Sequence, residues 1–479
     1  MKNALFLMSA VAIPTAGSLL IPLAGKFSAK IRNWLALILV FASFILSAAL
    51  APSALAGKIV TFAIPMPLGF NIAFAADALA VFMAMVSSFI AVVIVFYSFD
   101  YISHYPNQNE YYLMVTLFVG SMMGLVYSAN LIPLYLFWEL TAIASWRLIG
   151  FFRFKEHVLK ADKAFMVTVF GSLLMLIGFI TIFQRTGSFD LAVIKEHLKG
   201  ALVPDIAAIL IMAGILSKSA TLPFHTWLPD AGVAPSTVTA LLHAAVLVKI
   251  GVYVYARLFI STMTLSAIWV TIVPAIAASS AIISAGAALV ETDLKRIIAY
   301  STVSQIAFIF LGLSAGGKIG IAGALLYILM HGLAKGGLFL SAGIVEQNTG
   351  TKDITKMGGL INSMPVTAIA FLVCSFSIMG LPPFGGFFSK YLVFSGAVQN
   401  ANIAITMIFL VGAIMTILYL LRVFNLVFLG YESLTGAREG TRAMVLSVVV
   451  LAFLSLVFGI FIRYPSDFVE IAVRQMMGS

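Results

Sequence analysis

Apolar residues run along this chain in blocks of about twenty, joined by short polar segments, and that pattern predicts a bundle of membrane-spanning helices. Fourteen blocks can be laid out, at 4–24, 32–52, 77–98, 111–129, 131–151, 164–183, 206–221, 236–260, 266–290, 297–314, 319–345, 365–395, 402–428 and 443–463. The joints are mostly too short to fold alone, so the expectation is one all-α, polytopic transmembrane domain over residues 1–479. Two blocks are interrupted. The seventh runs into Pro223, Pro229 and Pro235 within TLPFHTWLPDAGVAPS, and the twelfth carries GLPPFGG (380–386) at its middle. Proline deletes a backbone donor and glycine relaxes φ, so both helices are predicted to break. Broken backbone at membrane depth needs a partner from protein or a wet cavity. The breaks lie five blocks apart, each with a lysine beside it, and each has a histidine- and lysine-bearing helix near it, LLHAAVLVKIGVYVY and HGLAKGGLFLSAG. This recurrence predicts two inverted five-helix repeats, at 111–260 and 266–428, with ion sites at mid-membrane. Residue identity between the halves is weak, so the expectation rests on the pattern.

Composition sharpens this picture. With 62% hydrophobic and only 10% charged residues, the chain lies far outside the soluble range. The net charge of +10 would suit nucleic acid, but the basic residues are scattered among the joints and form no patch. Topology explains them better. With the N-terminus outside, Lys26, Lys30, Arg32, Arg153, Lys155, Lys160, Lys163, Lys295, Arg296, Lys352, Lys356, Arg422, Arg438 and Arg442 fall inside, fourteen against nine on the other face. Lys2 before an apolar run resembles a signal peptide, yet the immediate second block favours a retained helix. The single cysteine, Cys374, excludes a disulfide framework, a cysteine-ligated zinc and an iron–sulfur cluster, so redox chemistry is not expected in this chain. Neither GxxxxGK[ST] nor GxGxxG occurs, so no ATP or NAD site, and no cofactor or metal, is expected. Energy must come from an ion gradient or a partner.

Four lysines, Lys218, Lys249, Lys335 and Lys390, lie inside these blocks, with Glu139 in an earlier one. A charge at bilayer depth costs several kcal/mol or more unless paired or hydrated, so a row of them suggests a route for protons or cations. Lys218 sits among small residues before the first break, with Glu139 as candidate partner; a purely structural ion pair is the alternative. Glu139 itself could instead be a helix-end carboxylate reaching water. Arg147 is eight residues, about 12 Å, further along that helix and is read as facing the inner interface. His243 and Lys249, six apart, differ by about 120° on a regular helix, so water rather than a direct bond would join them. His331 and Lys335, four apart, share a face and form a plausible relay. Each histidine could equally donate to a backbone carbonyl. After the first break, Trp227 is expected at the membrane interface, Asp230 as a cap for the next turn, and His225 beside them. In ETDLKRIIAYSTVSQ, Asp293 and Arg296 are expected to pair locally.

The strings FWEL, KSATLPFHTWLPDA, APSTVTALLHAA, DLKRIIAYSTVSQ, HGLAKGGLFLSAG and GLPPFGGFFSK, in order over 136–390, resemble the antiporter-like membrane subunits of respiratory complex I, Mrp-type sodium/proton antiporters and membrane-bound hydrogenases. The chain looks like the compact form, without a long lateral C-terminal helix. The resemblance implies two half-channels joined by a polar axis, with Glu139, Lys218, His243, Lys249, His331 and Lys335 along it and Lys390 as the exit lysine. It implies partner membrane subunits in a bacterial or archaeal plasma membrane, lipid around them, protons as the cargo, sodium only indirectly, and no catalytic chemistry in this chain alone. The expectation is a proton-translocating subunit of a complex I or hydrogenase type. A Mrp-type antiporter component and a degenerate structural scaffold are the alternatives. Two departures stand out: Arg147, where the family has an apolar residue, would perturb the surroundings of Glu139, and Ser172 stands where some members carry an acid; Arg147, His225 and Asp230 are candidate modulators of the pathway.

Overall fold

The computed structural model describes residues 2–66, 71–315, 317–400, 403–431 and 436–478. Residue 402, where the thirteenth block begins, lies outside these, as do residues 1 and 479 of the single domain and 316, 401 and 402 of the second repeat. In chain order the helices are α1 (Lys2–Gly17), α2 (Ile21–Phe27), α3 (Ala29–Leu55), then, after a hairpin, α4 (Ala78–Tyr101), α5 (Gln108–Tyr127), α6 (Leu131–Ile149), α7 (Lys155–Thr186), α8 (Leu191–His197), α9 (Asp205–Lys218), α10 (Trp227–Asp230), α11 (Ser236–Ala240) and α12 (Leu247–Tyr255). There follow α13 (Trp269–Val290), α14 (Leu294–Ser314), α15 (Gly317–Thr349), α16 (Pro365–Met379), α17 (Gly385–Asn400), α18 (Ile403–Val427), α19 (Arg442–Ile460) and α20 (Arg463–Met477).

Among the described residues, 11 helices are long and apolar enough to cross a membrane. The other three predicted blocks fall short for visible reasons: α6 carries Glu139 and Arg147, and α9 and the α16–α17 pair are cut by the two breaks. The apolar windows of α15 and of the stretch 236–260 are wholly buried, whereas α3 and α18 bury only 33% of theirs. The stretches that carry His243, Lys249, His331 and Lys335 are thus innermost, and α3 and α18 lie towards the outside of the bundle.

The joining segments gather on two faces of the bundle. On one, Arg32 meets Gln108 and Asn109, Glu110 meets Arg147 and Arg153, and Asp230 meets Lys163 and Arg296; this is the basic-rich face. The other carries a hairpin that an all-helical reading does not predict. Its strands β1 (Val60–Pro65) and β2 (Asn71–Ala76) pair antiparallel, from Val60 with Ala76 to Pro65 with Asn71. On this face α20 also docks, the Gln475 side-chain oxygen accepting from the Ala78 amide at 2.8 Å. There Asp77 caps α4 through the Ala80 amide (2.9 Å) and forms a buried ion pair with Arg257.

Candidate functional site

Each break leaves backbone groups without a helical partner, and side chains take them up. Beyond Lys218 the chain leaves α9 through Ala220, at φ 51°, a left-handed conformation costing an L-residue about 1–2 kcal/mol. The freed Ser217 carbonyl accepts from the Trp227 indole at 3.0 Å, and the Leu222 amide donates to Ser280 Oγ at 3.0 Å. Trp227 is therefore fully buried, a correction to its expected place at the interface: the break needed a donor more than the membrane surface needed an anchor. At the second break α16 ends on Gly380 at φ 81°, the amides of Gly380 and Leu381 returning to Phe376. The Ile378 carbonyl, one of the orphans there, accepts from Lys390 Nζ at 2.7 Å. A cation at the negative end of a half-helix is electrostatically favoured.

The other three lysines follow the same rule. Lys218 Nζ donates to the Trp138 carbonyl at 3.1 Å, lying 5.3 Å from the Trp138 ring. Lys249 Nζ donates to the Ala244 carbonyl, exposed where residues 241–245 widen into a π-turn. Lys335 Nζ donates to the Ile298 carbonyl at 3.0 Å and to Ser301 Oγ at 2.6 Å. All four are at most 4% exposed, and none has a carboxylate within ion-pair distance among the described residues. The expected Lys218–Glu139 ion pair is thus absent. Lys218 bonds to the backbone of the residue before Glu139. Glu139 Oε1 has no hydrogen-bond partner, with Tyr135 and Ser172 nearby.

Close packing links the segments that carry these lysines and histidines. Gly251 of α12 packs against Ser219, next to Lys218. Two residues earlier, Lys249 Nζ occupies the space a side chain at Gly332 would fill. His331 thereby feels Lys249, Lys335, His243 and Lys390. Neither ring nitrogen of His243 or His331 has a hydrogen-bond partner, so no direct hydrogen bond joins His331 to Lys335, and neither ring donates to a carbonyl. His243 instead lies against the Phe339 ring at 4.4 Å. The π-turn also voids the regular-helix azimuth assumed for His243 and Lys249, because it adds a residue to one turn.

Beyond Lys335 the structure adds groups that the sequence does not single out. Ser301 accepts from Tyr419 Oη at 2.7 Å; Tyr419 meets Thr416 Oγ1 at 3.3 Å; Gln305 donates to Thr416 at 3.1 Å and accepts from Tyr327 Oη at 2.5 Å. The Tyr327 ring then lies 5.5 Å from Lys390 Nζ and 6.0 Å from the His331 ring. Hydroxyls and one amide thus run without a gap from Lys335 to the ring beneath Lys390. Ser301 and Gln305 stand four apart in DLKRIIAYSTVSQ, a same-face polar spacing that is the available signal.

The three candidate modulators lie apart from these lysines and histidines. Arg147 binds Glu110, which also takes Arg153 Nη2 at 2.5 Å, and makes no contact with Glu139. His225 is half-buried beyond the first break. Asp230, expected to cap the following turn, instead accepts from Lys163 at 2.7 Å and Arg296 at 2.8 Å. Burial would raise its carboxyl, but these two cations hold it below the ordinary range. Nor do Asp293 and Arg296 pair through their side chains. Asp293 caps α14 through the amides of Lys295 (2.9 Å) and Arg296 (3.1 Å), leaving the Arg296 guanidinium for Asp230 and Glu291.

Comparison with known proteins agrees with this architecture. A family described as NADH:quinone oxidoreductase/Mrp antiporter, TM, matches residues 128–416, and one described as NADH-ubiquinone oxidoreductase (complex I), chain 5 N-terminus, matches 64–112. Two curated relatives are Na(+)/H(+) antiporter subunits: one from Alkalihalophilus pseudofirmus is 35% identical over 93% of this chain, and one from Staphylococcus haemolyticus is 34% identical over 94%. The chain spans 60% of the length of each. Among solved structures, a chain of the Mrp complex from a Dietzia species superposes with TM-score 0.87 at 21% identity, covering 100% of this chain and 98% of that one. A chain of an archaeal membrane-bound sulfane sulfur reductase does so with TM-score 0.89 at 21% identity, covering 98% and 97%. This protein belongs to the NADH:quinone oxidoreductase/Mrp antiporter family of integral membrane proteins.

Proposed function

We propose that this chain is the proton-carrying part of a multisubunit sodium/proton antiporter of the Mrp type. Protons move along Glu139, Lys218, His243, Lys249, His331, Lys335 and Lys390. The relatives named as Na(+)/H(+) antiporter subunits support this assignment over the complex I or hydrogenase type expected from sequence. One observation carries the proton reading: four buried lysines each bonded to a backbone carbonyl, with no carboxylate paired to them among the described residues. A carbonyl accepts from an ammonium or an amine alike, so each site gains or loses a proton without breaking an ion pair. Lysine cannot coordinate sodium, which prefers oxygen ligands, so sodium passes elsewhere in the assembly. The matching of each helix break with a lysine supports inverted repeats at 111–260 and 266–428, with the basic-rich face inside and the N-terminus outside. Arg147, the residue that favours a degenerate scaffold, is engaged by Glu110 and leaves Glu139 untouched.

The test is sodium-driven proton flux in vesicles holding the complete assembly. Lys218→Ala and Lys390→Ala are expected to abolish flux while the assembly still forms on a native gel. Wild-type flux in both variants would refute the pathway.

A further inference from the structure

The basic-rich face carries a polar pocket of about 370 Å³ lined by Asp100, His104, Gln347, Asn348, Glu439 and Thr441 among others. Glu346 precedes Gln347 on α15, and its side chain is 28% exposed. Its Oε2 accepts from Lys295 Nζ and from Ser236 Oγ, each at 3.2 Å. Lys295 is only 2% exposed and donates also to the Ala234 carbonyl at 2.6 Å. Ser236 is packed against Gly343, where a Cβ would lie 2.7 Å from its own Cβ and 2.8 Å from Tyr97 Oη, and its amide donates to Tyr101 Oη at 3.2 Å. A buried lysine, a half-wet carboxylate, a serine and two tyrosines therefore converge at the inner end of α15.

From this cluster α11 and the π-turn run inward along α15, Ser236 against Gly343 and His243 against Phe339. Seven residues separate Glu346 from Phe339, about 10 Å along the helix. At the Phe339 end His243 is fully buried with both ring nitrogens free of protein partners. His243 thus lies on the same stretch as Ser236 of this cluster and Lys249 of the mid-membrane set.

We propose that Glu346, held by Lys295 and Ser236, is the port through which protons pass between the basic-rich face and His243. This rests on the proton-carrying function proposed above. A hydronium ion at the basic-rich face gives its proton to the Glu346 carboxylate and becomes water; the resulting acid passes the proton along water to a free nitrogen of His243, which is an imidazolium until it hands a proton on to the buried lysines; the carboxylate is restored. Lys295 sets the selectivity of the port. Its buried positive charge repels a sodium ion, which would have to travel as a whole cation, whereas a proton is handed over at the carboxylate and leaves no cation beside the ammonium.

The experiment measures proton flux in vesicles of the complete assembly for Glu346→Gln, Glu346→Asp and the reference Lys390→Ala. Glu346→Gln is expected to lower flux at least tenfold at unchanged assembly, and Glu346→Asp to recover most of it. Glutamine keeps the shape and the hydrogen-bond acceptor but not the charge facing Lys295, so a melting temperature and a native-gel assembly equal to wild type separate a lost port from a lost ion pair. Wild-type flux in Glu346→Gln with loss in Lys390→Ala would overturn the port and leave the proposed function standing; wild-type flux in both would overturn both. A second readout does not depend on flux. In a Cys374→Ala background, Glu346→Cys, at a position whose side chain is 28% exposed, is expected to react with a small impermeant thiol reagent supplied at the basic-rich face and not from the opposite one. Failure to react from the basic-rich face would overturn the port.

Discussion

Gly332→Ala isolates one ammonium position without touching a titratable residue. A Cβ at Gly332 would collide with Lys249 Nζ and would stand 2.6 Å from Ile90 Cδ1 and 3.2 Å from the Ala244 carbonyl. The first two are ends of flexible side chains, so the helices need not separate. Replacing glycine by alanine inside a helix gains about 1 kcal/mol, and an added methyl in a packed core costs about 1–3 kcal/mol, so the net penalty of roughly 0–2 kcal/mol leaves the protein folded. Lys249, however, must withdraw from the Ala244 carbonyl. A hydrogen bond to a charged group contributes about 1.5–3 kcal/mol, which corresponds to roughly a tenfold to hundredfold change in rate. Sodium-driven proton flux in vesicles is therefore expected to fall by that factor at normal assembly. Gly336→Ala is the control, one turn along the same helix: there the nearest atom is Leu451 Cδ1 at 3.1 Å, followed by Ile90 and Ala244 carbons, with no charged group. It is expected to keep most of its flux. Equal, near-wild-type flux in both would refute the argument that Lys249 must sit where it does.

Tyr327→Phe removes the 2.5 Å donation to Gln305 while keeping the ring that faces Lys390 and His331. It leaves a buried acceptor unpaired at about 1–3 kcal/mol, and is expected to slow flux severalfold in an intact assembly; unchanged flux would remove the hydroxyl chain from the route. Asp77→Asn keeps the α4 cap, since asparagine also accepts from the Ala80 amide, but strands the Arg257 guanidinium. Breaking such a buried pair costs about 3–5 kcal/mol. A lower melting temperature in detergent is expected, largely restored in Asp77→Asn with Arg257→Gln; an unchanged melting temperature in the single variant would count against the pair as a brace.

The spans and both breaks are legible in the sequence because lipid enforces a length and a composition on each helix, and because proline and glycine act locally. The lysines are legible for the same reason, since a charge is conspicuous in an apolar run. Their partners are not. A backbone carbonyl has no sequence signature, so only geometry reveals that Lys218 has no carboxylate beside it. Trp227 reads as an anchor because its amphipathic ring suits an interface, yet a freed carbonyl ten residues earlier claims its indole. The π-turn at 241–245 is set by tertiary packing, and it moves Lys249 off the azimuth that 3.6 residues per turn assigns. Ser301 and Gln305 carry a readable spacing, but Tyr419 and Thr416 reach them from more than 100 residues away. The hairpin follows a period-two alternation in two short segments between apolar blocks, overshadowed by its neighbours.

The most direct measurement follows sodium and proton movement together in proteoliposomes of the complete assembly bearing Lys335→Met, the change that removes the amine joining Ser301 to the Ile298 carbonyl. Proton flux and the sodium flux coupled to it are predicted to fall together, with the assembly intact on a native gel. Exchange of both ions at the wild-type rate would contradict a proton route through the buried lysines.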